Sequence, residues 1–470
     1  MLTKLKAMFT PRDMSQGTPW KRIAEFAFPM LLGNFAQQLY NTVDAVVIGN
    51  SRWGYTALGA VGNAMPVLNL LLALFVGIST GAGILVAQFF GARNQEGLSK
   101  TVGNCITVTA IASIVIMIVG PLITGPLLRA VGTLPSMYDG CRDYLNIFFI
   151  GIAGFFYYNI LAGVLRGLGD SLSALGFLLI TSILNIFLDL AFVDRMGVAG
   201  VALATVLAQF ISAILCFIKL LSLKKLFVLH KADLKPNNFY LSRIIRLGIP
   251  SGLNQALFSL AMMVVQRLIN SFGDEMFIAC NVMVMRVDGY AMLPNFSFGQ
   301  AMSTYAGQNL GARKLDRLSS GTRQGLIMSL VTALVLTPLV LLFGPTLMRL
   351  FTPEQALIDL SMNMMYILAV GYVAMSVTQV LSGVMRGAGD TMTPMWITMG
   401  TTIGLRLPLA YALVAITRNA GAALITQQRM VFISLLISWL IGMLVTIFFY
   451  WRGVWKKKQV LPLEREIAGN

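Results

Sequence analysis

The sequence predicts an all-α polytopic membrane protein: twelve transmembrane helices in two pseudo-symmetric six-helix bundles, an N-lobe and a C-lobe. Three observations carry this. The 470 residues are 57% apolar and only 11% charged, with a mean hydropathy of +0.76. An ordinary soluble domain has about 25% charged residues, because its surface must be wetted. Apolar runs long enough to cross a bilayer, about 20 residues each, follow one another along the whole chain. Segments of the first half also recur in the second at a constant offset. This composition excludes a secreted enzyme, a nucleic-acid-binding domain and a disordered scaffold.

The spans are expected at 23–48, 57–87, 103–125, 144–164, 173–193, 197–219, 243–270, 277–308, 323–347, 361–383, 393–416 and 429–450. Several contain Gly or Pro, which membrane helices tolerate. The longest polar stretch, with Lys224, Lys225, His230, Lys231, Asp233 and Lys235, divides them six and six. The organisation is therefore an N-terminal segment (1–22), an N-lobe (23–222), a linker (223–242), a C-lobe (243–450) and a tail (451–470). The polar start leads into a span too long for a signal sequence.

The net charge of +16 invites a nucleic-acid reading, which its distribution opposes. With the N-terminus in the cytoplasm, 25 of the 35 Lys and Arg residues fall on the cytoplasmic side and seven outside, with Arg267, Arg286 and Arg406 inside apolar runs. This is a strong positive-inside bias. Both termini are expected in the cytoplasm of a cell whose cytoplasmic membrane the protein crosses. The lone His230 excludes a histidine-rich centre. Cys105, Cys141, Cys216 and Cys280 lie singly, without metal or disulfide spacing.

The duplication is explicit. Gly91-Ala92-Arg93 recurs as Gly311-Ala312-Arg313, GVLRGLGDS (163–171) as GVMRGAGDT (383–391), and Asn34 as Asn254, all at an offset of 220 residues. Each copy has an even number of spans, so both enter the membrane from the same side. The repeats are parallel, and the site belongs near the midplane beside their interface.

Acids inside apolar spans are costly and need a reason. Three stand out: Asp44, Asp189 and Asp288. Asp44 ends a stripe of Asn34, Gln37 or Gln38, and Asn41 on one face of the first span, bordered by Tyr40. Pro29 in the same span removes a backbone hydrogen bond and permits a bend. Asn185 and Asp189 share a face of the fifth span, and Thr205 on the sixth could add a hydroxyl. Two carboxylates with neutral oxygens suit a small cation, and the same pair would also hold a shared proton. The offset carries Asp44, Asn185 and Asp189 to Val264, Leu405 and Leu409. The second copy keeps the scaffold and drops the acids, which favours a functional over an architectural role.

Beyond this reading, the chain resembles the multidrug and toxic compound extrusion (MATE) family of transporters. The resemblance runs along nearly its whole length. It rests on PMLLGNFAQQLYNTVDAVVIGN, AVGNAMP, GISTGAGILVAQFFGARN, VLRGLGD, LNIFLDLAFV, GVAGVALATVLAQ and STYAGQNLGARK, taken in their order and spacing. It implies two six-helix lobes and export of amphipathic, often cationic compounds driven by inward Na⁺ or H⁺, with no other cofactor. It implies a cation site at Asp44, Asn185, Asp189 and Thr205, of which Asp44, Asn185 and Asp189 would ligate Na⁺ if sodium is the ion. A hinge at Pro29 and cavity positions Gln37, Tyr40, Asn41 and Asn159 are also implied. The stretch DLAFVDRMGVAG is shorter than in relatives, which bears on the depth of Thr205.

The eighth span carries Arg286 and Asp288, whose spacing of two puts them on different faces. Arg267 and Arg406 are the expected partners of Asp288. The cluster reads either as buried charge compensation or as a second coupling or substrate site. A second function is kept in view, a flippase for lipid-linked precursors or other amphiphiles built on a related two-lobe plan. A membrane-embedded enzyme is not supported, since no catalytic constellation is visible. The expected partners are small organic substrates and the bilayer, no nucleic acid, and the chain is expected to act as a monomer.

Overall fold

A computed structural model describes residues 10–49, 54–131, 133, 135–349 and 352–457, and no strand occurs among them. The N-lobe comprises α1 (Pro19–Gly49), α2 (Gly54–Gly91), α3 (Gln95–Val131), α4a and α4b (Pro135–Ile150, Ile152–Gly167), α5 (Ser171–Met196) and α6 (Val198–Ser222). The C-lobe comprises α7 (Asn238–Asn270), α8 (Glu275–Gly311), α9 (Leu315–Arg349), α10 (Gln355–Gly387), α11 (Met392–Asn419) and α12 (Leu424–Arg452). These twelve helices match the expected spans in order and extend beyond them. At 1.5 Å per residue a 31-residue α1 is about 46 Å long, so its ends project past a hydrocarbon core of about 30 Å.

Two spans depart from regular helix. The fourth, expected as one run from 144 to 164, is bent by 54° between α4a and α4b, at Gly151. The eleventh contains a π-helical stretch, Met399–Arg406, just before Pro408. Pro lacks the N–H that a regular turn needs, and a π bulge is one way a helix absorbs such a defect.

Each lobe has its own apolar core. The outer helices turn Leu and Ile outward: Ile114, Ile118 and Leu122 of α3 and Val331, Val335 and Leu342 of α9 are exposed. That surface is stable only against lipid.

The duplication is visible in atomic detail. Arg93 and Arg313, at φ 53° and 57°, are the only non-glycine residues with positive φ among the described ones. Each follows a helix end closed by the same backbone bonds. Asp170 caps α5 by accepting from Ser173 N–H and hydroxyl, and Asp390 does the same for Thr393. Burial pushes the Asp170 carboxyl above its ordinary range, opposed by those hydrogen bonds and by Lys219 at 3.6 Å. The lobes also bind one another reciprocally. Gln88 donates to the Gly387 carbonyl at 2.9 Å, and Gln308 to the Gly167 carbonyl at 3.0 Å. Each pair maps onto the other by the offset of 220, as a two-fold axis along the membrane normal requires.

These contacts close one end of the molecule, the end that carries residues 12–17 and the turns at Arg93 and Arg313. α2 and α7 touch through backbone: a Cβ on Gly77 would overlap Gly248 and Gly252, and one on Gly81 would come within 2.5 Å of the Ile244 carbonyl. Small residues permit such approach in membranes. Residues 12–17 lie across the seam. The Met14 side chain is fully buried in a cluster that also holds Phe26, Met302, Tyr305 and Trp455. Gln308 accepts from Met14 N–H at 2.7 Å, Lys314 donates to the Ser15 carbonyl at 2.9 Å, and the Arg317 guanidinium donates to the carbonyls of Met14, Gln16 and Gly17. Asp13 reaches across to Arg93 at 3.9 Å.

Gly77→Val should separate α2 from α7 and lower the melting temperature of the detergent-purified protein by several degrees. Gly400→Ala, where a Cβ meets nothing within 4 Å, should leave it unchanged. Equal melting of the two variants would contradict the glycine contact.

Candidate functional site

Three helices build the N-lobe site: α5, and the helices α1 and α6 that pack on it. α5 and α6 are joined by Gly197 alone, at φ 59°, a left-handed value that suits glycine. This accounts for the short stretch noted in the sequence. α5 runs on through Asp194 and Arg195, both exposed, to Met196 before the chain reverses.

The buried face of α5 includes Thr181, Asn185 and Asp189, one turn apart. Thr181 accepts from the Ser212 hydroxyl of α6 at 2.7 Å, and this bond fixes the antiparallel register. Counting equal steps from it towards the Gly197 turn puts Asn185 level with Ala208 and Gln209, and Asp189 level with Ala204 and Thr205. Thr205 therefore lies at the depth of Asp189. It is half-buried, whereas Asn185 and Asp189 are 1% and 0% exposed.

The hydrogen bonding at this depth is incomplete. Both polar atoms of the Asn185 amide, and the Gln209 Oε1, are buried with no hydrogen-bond partner among the described residues. An unsatisfied buried polar group costs about 1–3 kcal/mol. Gln209 was not anticipated. Its only signal was an amide in a sixth span that is otherwise apolar around it.

α1 lies between α5 and α8. A Cβ on Gly33 would stand 3.4 Å from Leu175 of α5. Ser171 donates to the Phe26 carbonyl at 3.1 Å, one residue along from the carbonyl that Pro29 leaves without its donor. α1 continues as helix through Pro29. Two members of its polar stripe face the C-lobe: Asn34 donates to Ser297 at 3.0 Å, and Gln38 lies beside Gly289, with Phe35 packed on Tyr290. Gln37 is exposed. The side chains of Tyr40, Asn41 and Asp44 lie outside the described residues. Asn159, on α4b, is half-buried and donates to the Phe155 carbonyl of its own helix at 2.8 Å.

In the C-lobe the structure separates the four charges expected together. Asp288 and Arg406 line one small cavity, with Asn281 and Trp439 among its other walls. Arg267 does not join them. It is exposed in the last turn of α7, so its expected pairing with Asp288 is corrected. The end of a long helix lies where water can solvate the guanidinium. Arg286 is exposed on the opposite side of α8 from Asp288, as their spacing requires. Tyr372 of α10, unnoticed in the sequence, faces Asp288.

No group of three or more His, Cys, Asp or Glu side chains of metal-binding geometry occurs among the described residues. Among the described residues, what the N-lobe site offers is neutral oxygens beside a carboxylate. Such a set can hold a monovalent cation or a proton.

Comparison with known proteins gives consistent results. The MatE family profile matches twice, at residues 29–191 and 250–412, one match in each lobe. A Bacillus subtilis protein named probable multidrug resistance protein YoeA is 28% identical over 96% of this chain and 97% of its own length. One from Thermotoga maritima, named probable multidrug resistance protein NorM, is 26% identical over 95% of each. A solved structure described as the outward-facing conformation of a multidrug resistance MATE family transporter of the MOP superfamily superposes with a TM-score of 0.87, at 24% identity, over 95% of this chain and 98% of its own.

Asn185→Leu removes an amide that the fold leaves unsatisfied, so the purified protein should melt at an unchanged or slightly higher temperature while transport is lost. Unfolding of this variant, or full transport by it, would count against a functional role for Asn185.

Proposed function

Because the chain belongs to the MatE family, a family of transporters and not enzymes, we propose that it is a secondary-active multidrug exporter. It exchanges inward Na⁺ or H⁺ for amphipathic, often cationic organic compounds. The names of its relatives in Bacillus subtilis and Thermotoga maritima support the substrate class. The observation that carries the coupling is the Asn185–Asp189 face, an acid and an amide buried side by side within an apolar span, with the amide unsatisfied.

The end of the bundle closed by Gln88, Gln308 and residues 12–17 holds Arg93, Arg166, Arg313, Lys314, Arg317 and Arg386. By the positive-inside bias it faces the cytoplasm. The protein lies in the cytoplasmic membrane of a bacterium with both termini inside. This conformation is closed inward, the state that releases substrate outside and admits the ion.

Asp44 and Asp189 then take up the ion, with Asn185, Thr205 and Gln209 supplying neutral oxygens at or near that depth. Binding of a positive charge relieves the cost of the buried carboxylates. It favours a different packing of α1, α5 and α6, and with it a cavity of lower affinity for substrate. Antiport follows from this difference in affinity between states. The driving force is about 2.3 kcal/mol per charge per 100 mV, plus the concentration term. Pro29, next to the Ser171 contact, is where α1 bends. Gln37, Tyr40, Asn41 and Asn159 line the substrate path. A flippase with a large cationic central cavity is not favoured, because Arg406 is enclosed within the C-lobe and Arg267 sits at a helix end.

In proteoliposomes, an imposed Na⁺ or pH gradient should drive accumulation of a fluorescent organic cation by the wild type. Asp189→Asn and Asp44→Asn should each reduce the driven flux at least about tenfold, the effect of about 1.4 kcal/mol. Gradient-driven flux at the wild-type rate in Asp189→Asn would exclude this carboxylate from coupling.

A further inference from the structure

We propose that the small cavity between Asp288 and Arg406 is a proton-binding site, in a different lobe from the N-lobe carboxylates and independent of them. Its volume is about 50 Å³. That is room for a few waters, at about 10–15 Å³ for each.

The two charges line this cavity without meeting. No ion pair within 4.0 Å joins them among the described residues. Arg406 is 4% exposed, its Nε has no acceptor, and one terminal nitrogen reaches only the Met262 sulfur at 3.6 Å. Asp288 Oδ1 is buried with no donor. Held apart, each charge is satisfied only in part, an arrangement that a purely structural pair would avoid by contact. The backbone itself departs from regular helix to present Arg406, which ends the π-helical stretch Met399–Arg406. Such bulges recur at functional positions.

The chemistry selects the occupant. Na⁺ needs several hard oxygens, whereas this cavity offers one carboxylate and the Asn281 amide, and faces the cation with a guanidinium. Chloride would meet Arg406 but also the Asp288 carboxylate. A proton delivered through water conflicts with neither. On Asp288 it makes an O–H donor of one oxygen, cancels the negative charge, and leaves Arg406 as the only charge in the cavity. The rest of Asp288 is only partly buried, which gives the proton a route.

Few other groups bear on the carboxylate. Tyr372 of α10 and Arg406 of α11 face it. α7 contributes Phe258 and Met262, and α12 contributes Phe432 and Trp439, none of which titrates. No titratable side chain of α1, α2 or α9 lines the cavity. On α8 itself Arg286 is exposed, and Tyr290 packs on Phe35.

Trp439 in the cavity wall is a built-in reporter. Intrinsic fluorescence of the purified full-length protein, titrated from about pH 4 to about pH 9 at constant salt, should show a sigmoidal change that Trp439→Phe abolishes. Asp288→Asn should abolish it too, and Asp189→Asn should leave it intact, which separates this site from N-lobe coupling. Arg406→Gln removes the positive charge that favours the ionised acid. It should move the midpoint up by about one pH unit or more, a readout that stands even where Asp288→Asn does not fold. The proposal is overturned by a transition that survives in Asp288→Asn, by its absence in the wild type, or by one that follows Na⁺ or chloride at fixed pH.

Discussion

A membrane interior gives a polar group nothing to bond to, and the fold is organised around the few places where this chain puts one there. Most such groups are answered on the spot. Gln88 and Gln308 are buried in the seam between lobes, and each finds a carbonyl of the opposite half. Asp170 and Asp390 are buried and cap helices. Others are not: single oxygens such as those of Ser113, Asn146, Ser329 and Ser361 lack a partner among the described residues, and so do the Asn185 amide, Gln209 Oε1, Asp288 Oδ1 and Arg406 Nε, which stand out because they lie with an acid. Incomplete satisfaction in a low-dielectric interior is expensive, so an arrangement that leaves it in place at two depths of two lobes is read as room for something that comes and goes.

The duplicated architecture explains how such a site can be linked to movement. The reciprocal glutamine contacts and the glycine crossing of α2 and α7 hold the lobes together through close backbone approach. A charge neutralised on α5 acts on α1, which packs on α5 on one side and on α8 of the other lobe on the other. The polar stripe of α1 sends Asn34 and Gln38 to that C-lobe helix. The helix that carries Asp44 thus touches both lobes, the connection that the proposed antiport needs.

The fold was largely legible in the sequence, because hydrophobic length and the offset of 220 are local and one-dimensional signals. Asn185 and Asp189 were legible for the same reason: in a long apolar run, an acid needs an explanation. What escaped depends on three-dimensional neighbours. At the Gly151 break a Cβ would meet Val206 of α6, a neighbour the sequence does not name; the π stretch ending at Arg406 precedes Pro408, but α1 passes Pro29 as helix, so a proline alone does not announce it. The pairing of Arg267 with Asp288 failed because membership of an apolar run does not say how deep a side chain lies. Arg267 is at a helix end, while Tyr372, uncharged and therefore unremarked, faces the acid. The seam of residues 12–17 was read only as a polar start, since its partners are some 300 positions away in sequence.

The central claim is that one ion and one substrate compete through the packing of the N-lobe. Equilibrium binding of an organic cation to the purified protein, measured across a range of Na⁺ concentration and pH, tests it most directly. The account predicts that the coupling ion weakens substrate affinity, that the substrate weakens ion affinity by the same factor, and that Asp189→Asn removes both effects. Substrate affinity independent of Na⁺ and pH, or a linkage that persists without the Asp189 carboxylate, would contradict it.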